Sequence, residues 1–580
     1  MKTKQKRKPA SRRRSKRLTV LDLFAGAGGF SEGFRSAGFL IKQGIEKYGP
    51  AVDTFNCNFG LKQSPRDILY FEQRPERIEE LPDTDVIIGS PPCVSFSYSN
   101  RFWSGDKSHG IRLIKVFLAI VAVKKHKPNS RLKGWFMENV PKALEWMKPA
   151  YTFRDLGLTA WSRELGLDPR SIAVSISDNA RVVDAADYGV PQVRKRLFVH
   201  EYLRQRGSRH DWLPRKRRTR LTLGSTALRL PKPTCALSWR PIRDPLYAGI
   251  QIPLANLTDH FYETGAYELH WRESRYLKRN HPYMGRMSFP ERKDKPSRTI
   301  VASHFPRARE ALLYNSEWNR RSNGKYRRPT IREVATLMGF PITYQFYGPE
   351  STKWTLVGNA VCPLLARQLA QRFLKRLGRN QSPLPRKVLP RPIKELPNLN
   401  TFKPAKYANP PVRNKLSRFR RHPFKTSGMA VTLSNYDLKK NGAADGTWRC
   451  SVTYGIGKGY KIQSIKPATL PKIVKAVRDL GPVGHRFSHF IRNGFKSKVA
   501  PGRVMQDLYE KNSSLNGYEN PSVLIDRTGP AIQRFVRKDQ DIDIKPKLFL
   551  RPRIPKSQLF ALLAISQIAH AAQVRRGKSR

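Results

Sequence analysis

Asp22-Leu23-Phe24-Ala25-Gly26-Ala27-Gly28-Gly29-Phe30 closes one local pattern and opens another. The run Leu18 to Phe24 reads as a short buried strand, and about Ser31 to Ala37 has helical spacing. Glycines at such a strand-to-helix turn let a ligand approach the backbone closely. A turn of this kind also occurs in folds that hold no ligand, so its neighbours matter. Further strand-like runs lie at Val86 to Ile88, Gly134 to Met137, Ile172 to Ile176 and Leu197 to Val199, separated by segments long enough for crossover helices such as Arg112 to Lys125. This alternation predicts an α/β fold with a mostly parallel sheet and helices on both faces.

Chemistry-bearing residues fall at the expected strand tips. Glu46 follows Phe39 to Ile45, and Asp67 stands in Arg66-Asp67-Ile68. An acid at the tip of the second strand is placed to accept hydrogen bonds from ribose hydroxyls, although each acid taken singly reads equally well as a helix cap or a surface charge. Gly89-Ser90-Pro91-Pro92-Cys93 comes directly after the strand Val86 to Ile88. Its two prolines stiffen the loop and hold a thiol at the carboxyl end of the sheet, where such folds bind ligands. Phe136-Met137-Glu138-Asn139-Val140 adds a carboxyl group, and Gln192-Val193-Arg194-Lys195-Arg196 adds two guanidinium groups.

The chain has 580 residues, too many for one hydrophobic core. Its 110 Lys and Arg against 44 Asp and Glu give a formal charge of +66, which resists compaction unless a polyanion neutralises it. Nucleic acid is the natural partner. The five cysteines lie far apart without a CxxC pair, arguing against a zinc site or a disulfide framework and for a reducing compartment. Apolar runs such as Val116 to Val123 and Leu559 to Ile565 fall short of the roughly 20 residues of a membrane span, so a soluble protein without membrane contact is expected. Residues 1–17 form a basic tail suited to phosphates or, in a nucleated cell, to nuclear import. The expected location is the cytoplasm or nucleoid of a bacterium, or the nucleus of a eukaryote.

Residues 18–199 are assigned to the catalytic and cofactor-binding domain. From 200 to 327 the pattern becomes irregular, with a basic run including Arg215 and Arg217 and with Trp212, Trp239 and Trp271 interleaved, and this is read as a separate lobe. Residues 328–379 return to helical spacing and end in a helix around Pro363 to Leu377. Residues 380–423 are a proline-rich basic linker. Residues 424–580 form an α+β accessory domain with strands at Met429 to Leu433 and Trp448 to Tyr454, a helix near Leu470 to Leu480, and an amphipathic helix from about Ser557 to Ala572. Its basic charge and its aromatics Trp448, Tyr454, Tyr460, Phe487 and Phe490 point to nucleic-acid binding. The closing helix leaves open a protein partner, and Asp526 with Asp543-Ile544-Lys545 crudely imitates a nuclease metal site.

The blocks already quoted, followed by Arg327-Arg328-Pro329-Thr330-Ile331-Arg332-Glu333, Met338-Gly339-Phe340-Pro341 and Gly358-Asn359-Ala360-Val361, resemble in kind and order the cytosine-C5 DNA methyltransferase family from Leu18 to about Leu377. The resemblance implies a Rossmann-like domain dependent on S-adenosylmethionine, no metal, and a target-recognition lobe at about His200 to Arg327. It implies Cys93 as the nucleophile toward carbon-6 of a flipped-out cytosine, Glu138 as the acid at N3, Arg196 at O2, and Arg194 supporting the loop and the flipped nucleotide's phosphate. For the cofactor it implies Phe24 against the adenine, Gly26 and Gly28 along the methionine, Glu46 on the ribose, Asp67 at the adenine amine and Asn359 completing the pocket, with Asp22 and Pro92 in the same set. Arg298 and Thr299, in a segment similar to the one that closes the recognition lobe on the phosphate backbone, join Arg215 and Arg217 as substrate contacts. Cys362 is expected to be a buried thiol. RNA-directed members share the catalytic blocks, so RNA stands beside DNA as a substrate, and a structural nucleic-acid-binding protein retaining the fold is a third reading.

Overall fold

The computed structural model describes residues 17–92, 96, 107–203, 212–233, 235, 238–262, 265–280, 287–302, 305–316, 325–379, 381–383, 412–455, 461–515, 517–536, 539–544 and 548–574. In the first half the chain runs β1 (Thr19–Leu23), α1 (Gly29–Ser36), β2 (Leu40–Ile45), α2 (Gly49–Phe59), α3 (Pro75–Glu79), β3 (Val86–Gly89), α4 (Lys107–His126), β4 (Gly134–Asn139), β5 (Ala150–Thr152), α5 (Thr159–Glu164), β6 (Ile172–Ser175), β7 (Ala180–Asp184) and β8 (Lys195–Tyr202). The main sheet has the order β2-β1-β3-β4-β8-β7. Its first four strands are parallel, and β8 runs antiparallel to both β4 and β7.

β1, β3 and β4 are mostly apolar and buried along their whole length because both of their faces are covered. Val20, Val86, Ile88 and Phe136 face a core shared with α1 and the later helices, while Leu21, Leu23, Ile87 and Met137 face a second core that includes much of α4. The strand expected at Ile172 to Ile176 exists, but it pairs with β5 in a separate two-stranded sheet and not in the main sheet. Its apolar run fills the core beneath α4 from outside the sheet, a role that sequence pattern does not distinguish from a central strand.

The segment expected to form the recognition lobe shows little regular structure among its described residues: β9 (Pro241–Arg243) with β10 (Gln251–Pro253), α6 (Glu268–Asn280), and β11 (Tyr314–Asn315) with β12 (Tyr326–Arg327). Its aromatics divide, with Trp212 and Trp271 buried in core clusters and Trp239 exposed. Then α7 (Ile331–Met338), α8 (Glu350–Asn359) and α9 (Pro363–Arg376) return to the sheet. A capping box between Thr330 and Glu333 starts α7, and Arg327 makes a buried two-pronged ion pair to the same Glu333. Helix α9 packs on α1 where Gly33 stands, a site at which a Cβ would fall 2.3 Å from the Ala366 Cβ.

The accessory unit begins before residue 424. There β13 (Arg420–Arg421) opens an antiparallel sheet with β14 (Met429–Ser434), β15 (Arg449–Tyr454) and β16 (Lys461–Ile465). Next come α10 (Leu470–Arg478), α11 (Pro482–Gly494), α12 (Gly502–Lys511), α13 (Pro521–Phe535), the hairpin β17 (Asp541–Asp543) with β18 (Arg553–Pro555), and α14 (Lys556–Val574). Helix α14 is not amphipathic: Leu559 to Ile565 are buried without interruption, and the other helices and the sheet pack around it. Trp448, Tyr454 and Phe487 are likewise core, and Phe490 packs against it, so these four are not a stacking platform; Tyr460 lies outside the described residues.

Helix α6 ties this unit to the recognition lobe. The Tyr276 hydroxyl donates to the His422 carbonyl and accepts from the His422 N–H, both at 2.8 Å, and Arg421 lies over its ring. Arg413 reaches Glu273 at 2.6 Å. No described helix is long and apolar enough to cross a membrane.

Candidate active site

At the end of β1, Phe24, Gly26 and Gly28 all take positive φ (57°, 53° and 83°). Gly28 has no substitute: a Cβ there would lie 2.5 Å from the Phe59 ring and 2.7 Å from the Tyr344 hydroxyl. The loop is held from β2 by Glu46, whose carboxylate accepts from the N–H groups of Gly26 (3.0 Å), Lys47 (2.9 Å) and Tyr48 (2.8 Å). A carboxylate has about four lone-pair positions, so capacity remains for a ligand hydroxyl. Asp67 is not at a strand tip. It caps the short turn Ile68–Phe71, accepting from the Leu69 N–H at 3.0 Å, and its other oxygen lies 3.4 Å from the Lys47 ammonium.

These residues enclose a cavity of about 420 Å³ at the carboxyl ends of β1 to β4. Phe24, Gly26, Glu46, Asp67, Pro92 and Asn359 line it, and so does Glu138. Asp22 and Gly28 do not. Asp22 lies beneath the loop, accepting from the Ser31 hydroxyl at 2.6 Å, and its other oxygen has no hydrogen-bond partner among the described residues. Burial raises its carboxyl to about 8. It supports the start of α1 from beneath the loop, through Ser31.

Glu138 is the penultimate residue of β4, and the register of β4 with β8 pairs it with Phe198. Arg196, diagonally across the ladder, therefore reaches it, with its Nε 3.0 Å from the Glu138 carboxylate. Burial raises the Glu138 carboxyl above its ordinary range, against the pull of Arg196 and then Arg194. The next residue, Asn139, was not singled out by pattern. Its side chain donates to the Pro91 carbonyl at 3.1 Å and anchors the proline loop to β4. Cys93 lies outside the described residues.

Arg194, expected to support the loop and a nucleotide's phosphate, spends its donors on carbonyls of the protein. It is buried, and it donates to the carbonyls of Ile300 (2.9 Å), Gly358 (2.9 Å) and Ala360 (3.3 Å). These bonds join the end of the recognition lobe to the last block. Gln192 contributes by accepting from the Ile300 N–H, and Trp354 by donating to the Val301 carbonyl, both unforeseen from sequence. Arg298 is similarly committed, pairing with Glu291 at 2.6 Å and donating to the Ser288 carbonyl at 2.9 Å. Thr299 donates its hydroxyl to the Val193 carbonyl. Both side chains thus direct donors to partners within the protein. Arg215 and Arg217 are exposed, while Arg220 of the same run pairs with Asp184 and Asp187. Cys362 is buried, and that burial raises its thiol to about 11.

Residues 18–375 match the model of the C-5 cytosine-specific DNA methylases. The chain belongs to that family. This methylase is 28% identical over 375 residues to the type II methyltransferase M.MthTI of Methanothermobacter thermautotrophicus, covering 62% of this chain and 98% of that one. It is 28% identical over 359 residues to M.AplI of Arthrospira platensis, covering 61% and 85%. Among solved structures it is similar to the Entamoeba histolytica methyltransferase EhMeth (15% identity, TM-score 0.39, 63% of this chain and 99% of that one). The enzyme is a DNA cytosine-5 methyltransferase, and S-adenosylmethionine is its methyl donor. The cavity suits that donor, combining an apolar wall at Phe24 and Ile68 with carboxylates at Glu46 and Asp67. No group of three or more metal-ligating side chains occurs among the described residues. In the accessory unit Asp526 faces Arg421, and Asp543 sits on a hairpin beside Arg553, so the two aspartates do not assemble a metal site.

Proposed function

We propose that the methylase modifies a cytosine rotated out of duplex DNA by covalent addition of Cys93. The observation that carries this reading is Glu138, buried at the end of β4, held by Arg196 and lining the same cavity as Gly26 and Glu46. Cys93 directly follows Pro92, which lines that cavity too. In the proposed sequence the thiolate forms a bond to carbon-6, and the electron pair displaced from the ring is taken up at N3, where protonated Glu138 supplies the proton. Arg196 lies beside this carboxyl and is positioned for O2. Carbon-5, now the nucleophilic end of an enamine, takes the methyl group. S-adenosylmethionine supplies that group as an electrophile. Water then takes the carbon-5 proton, the electron pair of that C–H bond expels the thiolate, and return of the N3 proton to Glu138 restores the ring. Phe24, Glu46, Asp67 and Asn359 would hold the donor. Since carbon-5 is stacked inside a duplex, rotation of the base costs a few kcal/mol, which basic contacts such as Arg215 and Arg217 help offset.

The type II names of the relatives support a role in marking a short sequence for restriction and modification. The decisive assay uses labelled donor with duplex DNA and, separately, tRNA. Label in DNA, lost in Cys93→Ala, is expected. A duplex carrying 5-fluorocytosine at the target should be trapped covalently, because fluorine cannot leave as a proton does. Label confined to tRNA would overturn the DNA reading, and an active Cys93→Ala would overturn the covalent one.

A further inference from the structure

The accessory unit contains two helices joined by a tight turn: α10 (nine residues), then Asp479-Leu480-Gly481, then α11 (13 residues). Gly481 takes a φ of 79°. Gly484 lets the first turn of α11 press on the end of α10, since a Cβ there would lie 1.8 Å from the Val477 carbonyl oxygen. A short glycine-bearing turn between two such helices is the helix-turn-helix pattern. The inner face of α11, with Phe487 and Ile491, is buried in the accessory core.

The outer face is exposed and basic. Arg486, His489 and Arg492 share one stripe of α11, and α10 adds Lys472, Lys475 and Arg478. From Leu470 to Lys498 there are seven Lys and Arg and a single acidic residue, Asp479. No carboxylate among the described residues pairs with any of these six side chains. A chain already carrying +66 leaves them uncompensated on a surface rich in neighbours of like sign, so a polyanion is the complementary partner.

We propose that α11 is a second DNA-docking element, placed against duplex DNA outside the methylated site. The proposal rests on DNA as the substrate and extends it to a part of the chain beyond the family match, which ends at residue 375. Two observations favour a duplex over single strands or RNA. Single-strand binding uses exposed aromatic rings for stacking, and the Phe487 and Phe490 rings are turned inward, packed on each other's neighbour Phe535. An α-helix also fits the major groove of B-form DNA, whereas that of A-form RNA is too narrow. Because Tyr276 and Arg413 fix the accessory unit to α6, DNA held by α11 is tied to the segment expected to read the target.

The test uses the full chain with Arg486→Gln and Arg492→Gln together, and a second variant with both changed to Lys. Binding is read by fluorescence anisotropy on labelled duplex DNA of several helical turns, on the matching single strand and on duplex RNA, each over a series of salt concentrations. The Gln variant should lose about tenfold in duplex affinity, and its plot of log K against log salt should flatten by about 2, as expected for two lost phosphate contacts. The Lys variant should keep the slope. Methyl transfer to plasmid DNA should retain its kcat and show a raised KM. An unchanged affinity and slope in a Gln variant with wild-type kcat would overturn the proposal, as would an effect confined to RNA or to the single strand. Absence of DNA methylation in the wild type would instead refute the methylation reading, since α11 binding is measured without turnover.

Discussion

Arg196 Nε stands 3.0 Å from the Glu138 carboxylate, yet burial keeps that carboxyl above its ordinary range. The pair is therefore poised for Glu138 to hold a proton that Arg196 alone would have driven off. Replacing Glu138 with Gln should lower kcat by a factor of about 10² to 10⁴, the usual range for a general acid. The activity of the wild type should fall as pH rises through the raised Glu138 value, because only the protonated acid can donate. Residual activity of Glu138→Gln should lack that alkaline limb, and an unaltered pH profile would contradict the assignment.

The two arginines of the QVRKR block should separate by experiment. Arg194→Ala removes three bonds to buried carbonyls and should destabilise the fold by about 3 kcal/mol, seen as a lower Tm. Arg196→Ala should leave Tm nearly unchanged and lower kcat. Equal thermal losses in both would mean that Arg196 is also a structural clamp.

Glu46 joins three backbone donors to the glycine loop at the donor cavity. Glu46→Gln should weaken donor binding about tenfold, a loss of roughly 1.4 kcal/mol, with little change in DNA affinity. Calorimetric titration with S-adenosylmethionine and with its demethylated product would measure it. Donor affinity equal to that of the wild type would remove Glu46 from the pocket.

Asp22 makes stability depend on pH in a defined direction. Its carboxyl is raised from 3.8 to about 8 in the fold, so the native state binds the proton more tightly than the unfolded chain does. The stability it contributes is complete below pH 3.8 and is lost as pH rises toward about 8, at up to about 1.4 kcal/mol per pH unit. Asp22→Asn should flatten this decline. A denaturation series between pH 5 and about 8 that shows the same slope in both proteins would count against it.

Gly358 ends against the closing segment of the recognition lobe, where a Cβ would lie 2.7 Å from both Ala302 Cα and the Val301 carbonyl oxygen. Gly358→Ala should cost about 1–3 kcal/mol through forced backbone displacement. It should also raise the KM for DNA more than that for the donor. Steady-state kinetics with each substrate varied in turn would detect the split.

Much of the catalytic half was legible because its strands are buried on both faces and its chemistry clusters at their ends. Leu18 to Leu23 and Val86 to Ile88 are buried throughout and mostly apolar, and the glycine and proline blocks directly follow such runs. Where a run was buried for another reason, the same signal misled. Ile172 to Ile176 belongs to a separate two-stranded sheet, and Leu559 to Ile565 is a helix enclosed on all sides, which no periodicity distinguishes from an apolar face. Basic residues were the hardest to place. Arg194, Arg196 and Arg298 are alike in sequence, but one clamps carbonyls, one meets Glu138 and one pairs with Glu291.

The sequence by itself determined the family, the cofactor class and the order of the catalytic blocks, because glycines, prolines and carboxylates at strand ends have few chemical uses. Tertiary structure alone decided which donors and acceptors remain for a ligand. A guanidinium or carboxylate has a fixed number of hydrogen bonds to give, and only packing shows whether burial has already claimed them. Thus Glu46 and Glu138 face the cavity, Asp22 and Arg194 are sealed behind it, and the exposed charge of α11 is left for a partner.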